Sequence, residues 1–253
     1  MLFIIKKKLY LCKLELLNIK LEKMKKLMSI LTVAVVCNAL IYSSFAQKTP
    51  FAGTVKFEQK YEGNINPQKH IPIEATYTIF ENKTKVTLFM GVNVFIIQDG
   101  DALVRTVLID IPQGRIGLTD SKEEVDEELL MKKFTYAERD DTKTICGYEC
   151  KGYDVTCIVM SDDDDDEDEA TEIKTIVYTT QEIGKDNNIN AFDYPGLSGF
   201  PLYTETEADG VKTIVQAKEV KKSKVKATDF LIPSDYKMLE GEQKEGLKRN
   251  LGL

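Results

Sequence analysis

Apolar and polar residues alternate with a period of two through most of the chain after residue 50, the pattern of strands with one buried face. Val55 to Tyr61 is the first such stretch. Ile71 to Phe80 follows with Ile71, Ile73, Ala75, Tyr77 and Ile79 on one side, and Asn82-Lys83 turns it into a partner at Lys85 to Met90. Val92 to Gln98 is more continuously apolar and reads as a central strand. Asp99-Gly100 predicts a tight turn into Ala102 to Ile109. Further strands are expected at Tyr148 to Met160, Glu172 to Thr179, Phe200 to Glu207 and Val211 to Val220. The last two are joined at Asp209-Gly210, another hairpin signal.

One helix interrupts this meander. Asp120-Ser121 followed by Glu124 forms a capping box, acids crowd the first turns, and Lys132-Lys133 close the last, so charge matches the helix dipole from Ser121 to Lys133. The stretch Gly184 to Gly199, rich in Asn, Gly and Pro, predicts a long loop with one helical turn around Asn188 to Phe192. The charged, Gly-punctuated residues 240–253 predict a flexible tail.

The first 46 residues obey a different pattern. Lys25-Lys26, the apolar run Leu27 to Ile41 and the small residues of Ser44-Phe45-Ala46 make residues 24–46 a signal peptide cleaved after Ala46. About 15 apolar residues fall short of the ~20 that a helix needs to span a bilayer, so no stable membrane span is expected in the mature chain. Val36 before Cys37 breaks a lipid-attachment signal. Residues 1–23, Lys-rich and preceding a normal signal-peptide start, read as an upstream extension added ahead of the true start at Met24. The fold is therefore expected as one domain over 47–239, in the periplasm or outside the cell.

Charge narrows the partners. The leader carries 8 Lys and 2 Glu, so the formal charge of −7 becomes about −13 in the mature chain. Such an acidic protein has no electrostatic footprint for nucleic acid, whose binding depends on neutralised phosphates. The unbroken acids from Asp162 to Glu169 sit between two strands and read as a solvated hairpin tip, without the spacing or the glycine of a calcium loop.

Candidate chemistry is sparse. His70 is the single histidine and has no identifiable partner for metal binding or nucleophile activation. In a straight strand Cys146 and Cys150 would stand roughly 13 Å apart at ~3.3 Å per residue, beyond the reach of a disulfide. A sharp bend at Gly147 would join them, or Cys157 could meet one of them across strands; the pairing stays open. With no phosphate loop, dinucleotide fingerprint or zinc motif, no catalytic residue, no metal site and no cofactor is expected, and the chain reads as a non-enzyme.

Four ordered segments carry a resemblance: Thr144 to Tyr153 (TICGYECKGY), Val177 to Thr180, Gly199 to Tyr203 (GFPLY) and Phe230 to Tyr236 (FLIPSDY). Together they resemble a secreted bacterial family of unknown function, marked by its GFPL motif, in the LolA-like superfamily of outer-membrane lipoprotein carrier relatives. The chain is also similar to the GLPGLI proteins, to whose signature Pro195 to Phe200 is a partial match. The resemblance implies a mainly β, α+β fold: a strongly curved antiparallel sheet, a half-barrel with one or two covering helices. It also implies an apolar ligand, such as a lipid or acyl chain, on the concave face.

A long alternating sheet with little helix to cover it leaves such a concavity. Leu88, Val94, Ile96, Val104 and Tyr178 are expected to line it, with Gly184 to Gly199 as a flap beside its mouth. The expected function is thus a secreted envelope protein binding an apolar ligand without catalysis. The alternative is a structural module that docks an envelope protein partner and holds no small molecule.

Overall fold

The computed structural model describes residues 50–66, 73–160, 170–184 and 186–251. The leader, His70 and the acidic run 162–169 lie outside the described residues, so the expectations placed on them are not addressed by the fold.

From residue 50 onward the described chain is built on one curled sheet of twelve strands. The strands are β1 (Ala52–Gly63), β2 (Glu74–Phe80), β3 (Lys83–Phe89), β4 (Asn93–Asp99), β5 (Val104–Ile111) and β6 (Gly114–Asp120). They continue as β7 (Lys132–Ile145), β8 (Tyr148–Val159), β9 (Thr171–Thr180), β10 (Phe200–Ala208), β11 (Val211–Lys222) and β12 (Lys237–Met238). Two helices join them, α1 (Lys122–Leu130) and α2 (Gly241–Leu251), with 3-10 turns at Asn187–Asn190 and Ala227–Phe230. The order across the sheet is β12-β6-β5-β4-β3-β2-β1-β11-β10-β9-β8-β7, antiparallel except where β12 runs parallel to β6. The first strand is central: β1 pairs with β2 on one side and with β11 on the other. This is the half-barrel expected from the sequence.

The hairpins form where turn chemistry placed them. Asp209 and Gly210 both take positive φ, 53° and 73°, the conformation that matches the twist of paired strands. Cys146 and Gly147, at 51° and 84°, make the same kind of turn between β7 and β8. That turn is the sharp bend at Gly147, yet Cys146, Cys150 and Cys157 are all free thiols. Cys150 is fully buried, and burial pushes its thiol up to about 11.

The capping box of α1 is as expected: Ser121 Oγ accepts from the Glu124 amide and Glu124 reaches back to the Ser121 amide at 2.7 Å. The helix ends at Leu130, however, and Lys132-Lys133 open β7 instead of closing the helix. α1 contacts β5, β6 and β7, and so bridges the two edges of the curled sheet.

The flexible tail expected at 240–253 is corrected by α2, which spans Gly241–Leu251. Its Leu247 packs against the cluster of Val94, Val107, Ile109 and Leu118 on one face of β4 to β6. Its Lys244 and Lys248, one helical turn apart, both reach Asp120. The opposite face of these strands is covered by the segment after β11, where Phe230 packs on Ile97 and Leu108.

Candidate functional site

Strand alternation assigns each residue to a face. Across β3 and β4, Val86, Leu88, Val94, Ile96 and Gln98 share one face, since Leu88 stands opposite Val94 and Val86 opposite Ile96. The same face continues through Ala75 and Tyr77 of β2, Phe57 of β1, Val215 of β11, Thr204 of β10 and Thr175 of β9. It ends at Cys157 of β8 and Phe134 of β7. This is the concave face, because α1, α2 and the loop 184–199 all pack on it.

The cover is uneven. Over β7 to β9, Leu197 and Tyr194 of the loop pack on Val155, Val177, Phe134 and Tyr136, and Tyr136 Oη donates to the Pro195 carbonyl. Over β4 to β6, Leu247 fills the space. Between these plugs lies a hollow of two adjoining parts, about 430 and 270 Å³. Both parts are walled by Phe57, Tyr77, Gln98, Asp193 and Val215. Phe134, Val159, Ile173, Phe192, Tyr194 and Phe200 extend the larger part, and Ile73, Ala75, Val86, Leu88 and Ile96 the smaller. Volumes of this size are those of small-molecule sites.

The loop is held in place rather than swinging free. Asn82, 2% exposed in the β2–β3 turn, donates to Asp186 at 2.8 Å and to Asp101 at 2.9 Å. Asn188 donates to Asp101 from the other side. Gly100 lies so close that a Cβ there would meet the Asn188 carbonyl at 1.9 Å, which only glycine permits. Buried Asn190 donates to the carbonyls of Leu197 and Gly199, closing the loop on itself. The GFPL stretch has a structural part in this: Gly199 turns with φ 83°, while Phe200 and Leu202 drop into the core.

Two carboxylates flank the hollow in contrasting surroundings. Asp120, 1% exposed, accepts from Arg105 Nη2 at 2.8 Å, and its other oxygen lies 2.7 Å from Lys248 Nζ and 3.3 Å from Lys244 Nζ. Burial alone would raise its pKa, but the hydrogen bonds from Lys248 and Arg105 outweigh it and hold the carboxyl below its usual range. Arg105 also grips Glu128 of α1 at 2.6 Å, and Glu128 takes Lys132 of β7 at 2.7 Å. A charged ladder therefore runs from β5 through α1 to β7.

Asp193, an exposed residue on the loop, borders both parts of the hollow. Among the described residues its carboxylate has no hydrogen-bond or ion-pair partner. Burial raises its pKa, and the more distant Arg105 and Lys132 offset this only in part. The same burial pushes up the neighbouring hydroxyls of Tyr77 and Tyr194, with the Asp193 charge adding to the effect.

Of the residues expected to line the concavity, Leu88 and Ile96 stand in the hollow's wall. Val94 shares their face but is buried beneath α2. Val104 and Tyr178 lie on the opposite face. Tyr178 faces Tyr203 in the neighbouring strand, ring centroids 5.7 Å apart, and donates to Asp141 at 2.6 Å. Val104 pairs with Asp99, out of phase with Arg105 and Val107. Sequence reading missed Phe57, Asp193 and Val215. Phe57 and Val215 carried strand alternation as a signal; Asp193 carried none.

No protein-family model matches the chain, and no curated protein does either. Among solved structures, PNGF-II is similar at 14% identity over 78% of this chain, with a TM-score of 0.45. The chain spans about a third of that protein's length, 33%. LolA superfamily protein NE2245 from Nitrosomonas europaea is similar at 10% identity over 74% of this chain and 94% of that one, TM-score 0.33. The Mycobacterium tuberculosis lipoprotein LppX is similar at 10% identity over 69% and 89%, TM-score 0.32. Solved neighbours thus include LolA superfamily proteins, and none of them transfers a residue role to this chain.

Proposed function

We propose that this protein is an exported, non-enzymatic binding protein that shields an apolar molecule, such as a lipid or acyl chain, in the hollow of its sheet. The observation that carries the reading is the divided cover of the concave face. Both flanks are plugged to near-complete burial, whereas the middle is left open and lined by aromatic and aliphatic side chains. A sheet that served only as a scaffold gains stability from filling such a space, since each buried methylene contributes about 0.8 kcal/mol. Among the described residues no helix is long and apolar enough to cross a membrane.

Val215 supplies the test because it borders both parts of the hollow. The chain has no tryptophan, so Val215→Trp installs a single emitter while filling the space. An uncharged environment-sensitive dye should bind the unaltered protein saturably and be displaced by lipid extracted with it. The variant should lose at least about tenfold in affinity, roughly 1.4 kcal/mol, while its tryptophan emits as a buried group. Dye binding unchanged by the substitution removes the hollow as the site.

A second reading, a module that docks an envelope protein, is favoured by the strand ends. Phe89 and Met90 at the β3–β4 turn, Leu130 at the end of α1 and Met160 after β8 are exposed large apolar residues at one end of the sheet. Retention of dye binding combined with loss of a pulled-down partner on Phe89→Ser would favour docking as an additional role.

A further inference from the structure

Asp193 sets a condition on whatever enters the hollow. Its carboxylate stands in both parts of the cavity without a contact partner among the described residues. Among the described residues, the cations near it are already engaged. Arg105 holds Asp120 and Glu128, Lys132 holds Glu128, Lys244 holds Asp120 and Glu124, and Lys248 holds Asp120. An anionic head placed beside Asp193 would meet a like charge, with no unengaged cation among the described residues to receive it.

The walls around the carboxylate are aromatic. Tyr77 packs edge-on against Phe57 with centroids 4.9 Å apart and against Phe200 at 6.0 Å, and Tyr194 and Phe192 come from the same loop as Asp193. Aromatic side chains beside a negative charge form the surroundings in which proteins hold ammonium groups, by attraction to the ring quadrupole and to the charge. The aliphatic side of the hollow, Ile73, Val86, Leu88 and Ile96, carries no charged group among the described residues.

Resting on the proposed apolar-binding role, we infer that the ligand is a cationic amphiphile: its alkylammonium or choline-type head sits against Asp193 and Tyr77, and its chain runs along the aliphatic wall. The contact supplies the carboxylate with a partner that the described residues do not provide. It also makes the hollow selective, because an anionic head meets a like charge and a neutral head gains no ion pair.

The test uses three probes of equal chain length below their micelle concentrations: dodecyltrimethylammonium, dodecanol and dodecanoate, titrated calorimetrically into the purified protein at pH 7. The ammonium should bind about tenfold or more tighter than the alcohol, the gain expected when a cation meets both aromatic rings and a carboxylate. Dodecanoate should be the weakest. Asp193→Asn should bring the ammonium and the alcohol to within about twofold of each other. Equal affinity for alcohol and ammonium, preference for dodecanoate, or selectivity that survives Asp193→Asn overturns the inference and leaves the apolar-binding role standing. Failure of all three probes to bind overturns both. Should the variant not fold, the ranking of the three probes on the unaltered protein decides.

Discussion

Asp120 and Asp193 are carboxylates on the same concave face, and the protein treats them in opposite ways. Asp120 is sealed beneath α1 and α2 with three cations on its two oxygens. Asp193 lies a short way along the face, open to the hollow and without a contact partner among the described residues. The pKa of the first is held low and that of the second is raised. A buried charge earns its place only when it is paired. The β4–β6 flank is therefore a stability region, in which charge replaces apolar packing as the clasp for two helices. The middle of the face is a region where stability has been given up, which is the usual condition of a binding surface.

The largest expected effect comes from undoing the clasp. Asp120→Ala leaves Arg105, Lys244 and Lys248 crowded without their carboxylate and should cost about 3–5 kcal/mol, the range for breaking a buried ion pair. Urea unfolding measures it, and exchange of the α2 amides should rise with it. A loss below 1 kcal/mol would mean that the two regions are not energetically distinct. Next come matched truncations. Leu118→Ala, at a side chain 0% exposed under α2, should cost about 2–5 kcal/mol. Leu88→Ala, in the wall of the hollow, should cost no more than about 1 kcal/mol.

Acid sharpens the contrast further. The folded-state pKa values of Asp120, Glu124 and Glu128 lie below the ordinary 3.8 and 4.5. Their contribution is therefore whole above that range and is lost as the pH falls through the lowered values. Thermal unfolding followed from pH 7 to pH 3 should show the melting temperature dropping steeply below about pH 4, with a smaller drop in Asp120→Asn. The smallest effect belongs to Asp193, which faces Tyr77 and Tyr194 and feels Arg105, Lys132 and Glu128. Its folded pKa is raised, so its charge costs stability once the pH exceeds the unfolded value. Asp193→Asn should raise the melting temperature slightly at pH 7, and the gain should vanish near pH 3.

The hairpins and the α1 cap were legible because alternation, Asp-Gly turns and a capping box are local signals. β7 was not. As an edge strand it carries Lys133, Glu138, Arg139, Asp140, Asp141 and Lys143, the charges that keep an edge from pairing with strangers and that also make it read as loop. α2 escaped notice because its lysines looked solvated, and only the fold reveals Asp120 waiting beneath them. Alternation divides a strand into two faces without saying which is concave, so Leu88 and Ile96 reach the hollow while Val104 and Tyr178 do not. Register slips at Lys56/Phe57 and at Pro201/Tyr203 reset the phase again. Asp193 is one of two acids in a loop rich in Asn, Gly and Pro, and its lack of a partner among the described residues is a property of space rather than of sequence.

The central place of β1 has a consequence in time. Residues 53–63 pair with residues 211–222, so the first strand made must wait on one flank for one of the last. Contacts of such long sequence separation form slowly, because the loop between them must be closed before any of them is gained. Until β11 arrives, β1 presents an unpaired edge bearing Val55 and Phe57 to whatever lies nearby, a standing invitation to mispairing. A chain wired in this way gains from a partner that occupies that edge during synthesis, and its yield should depend on such help more steeply than that of a sheet whose neighbours in space are neighbours in sequence.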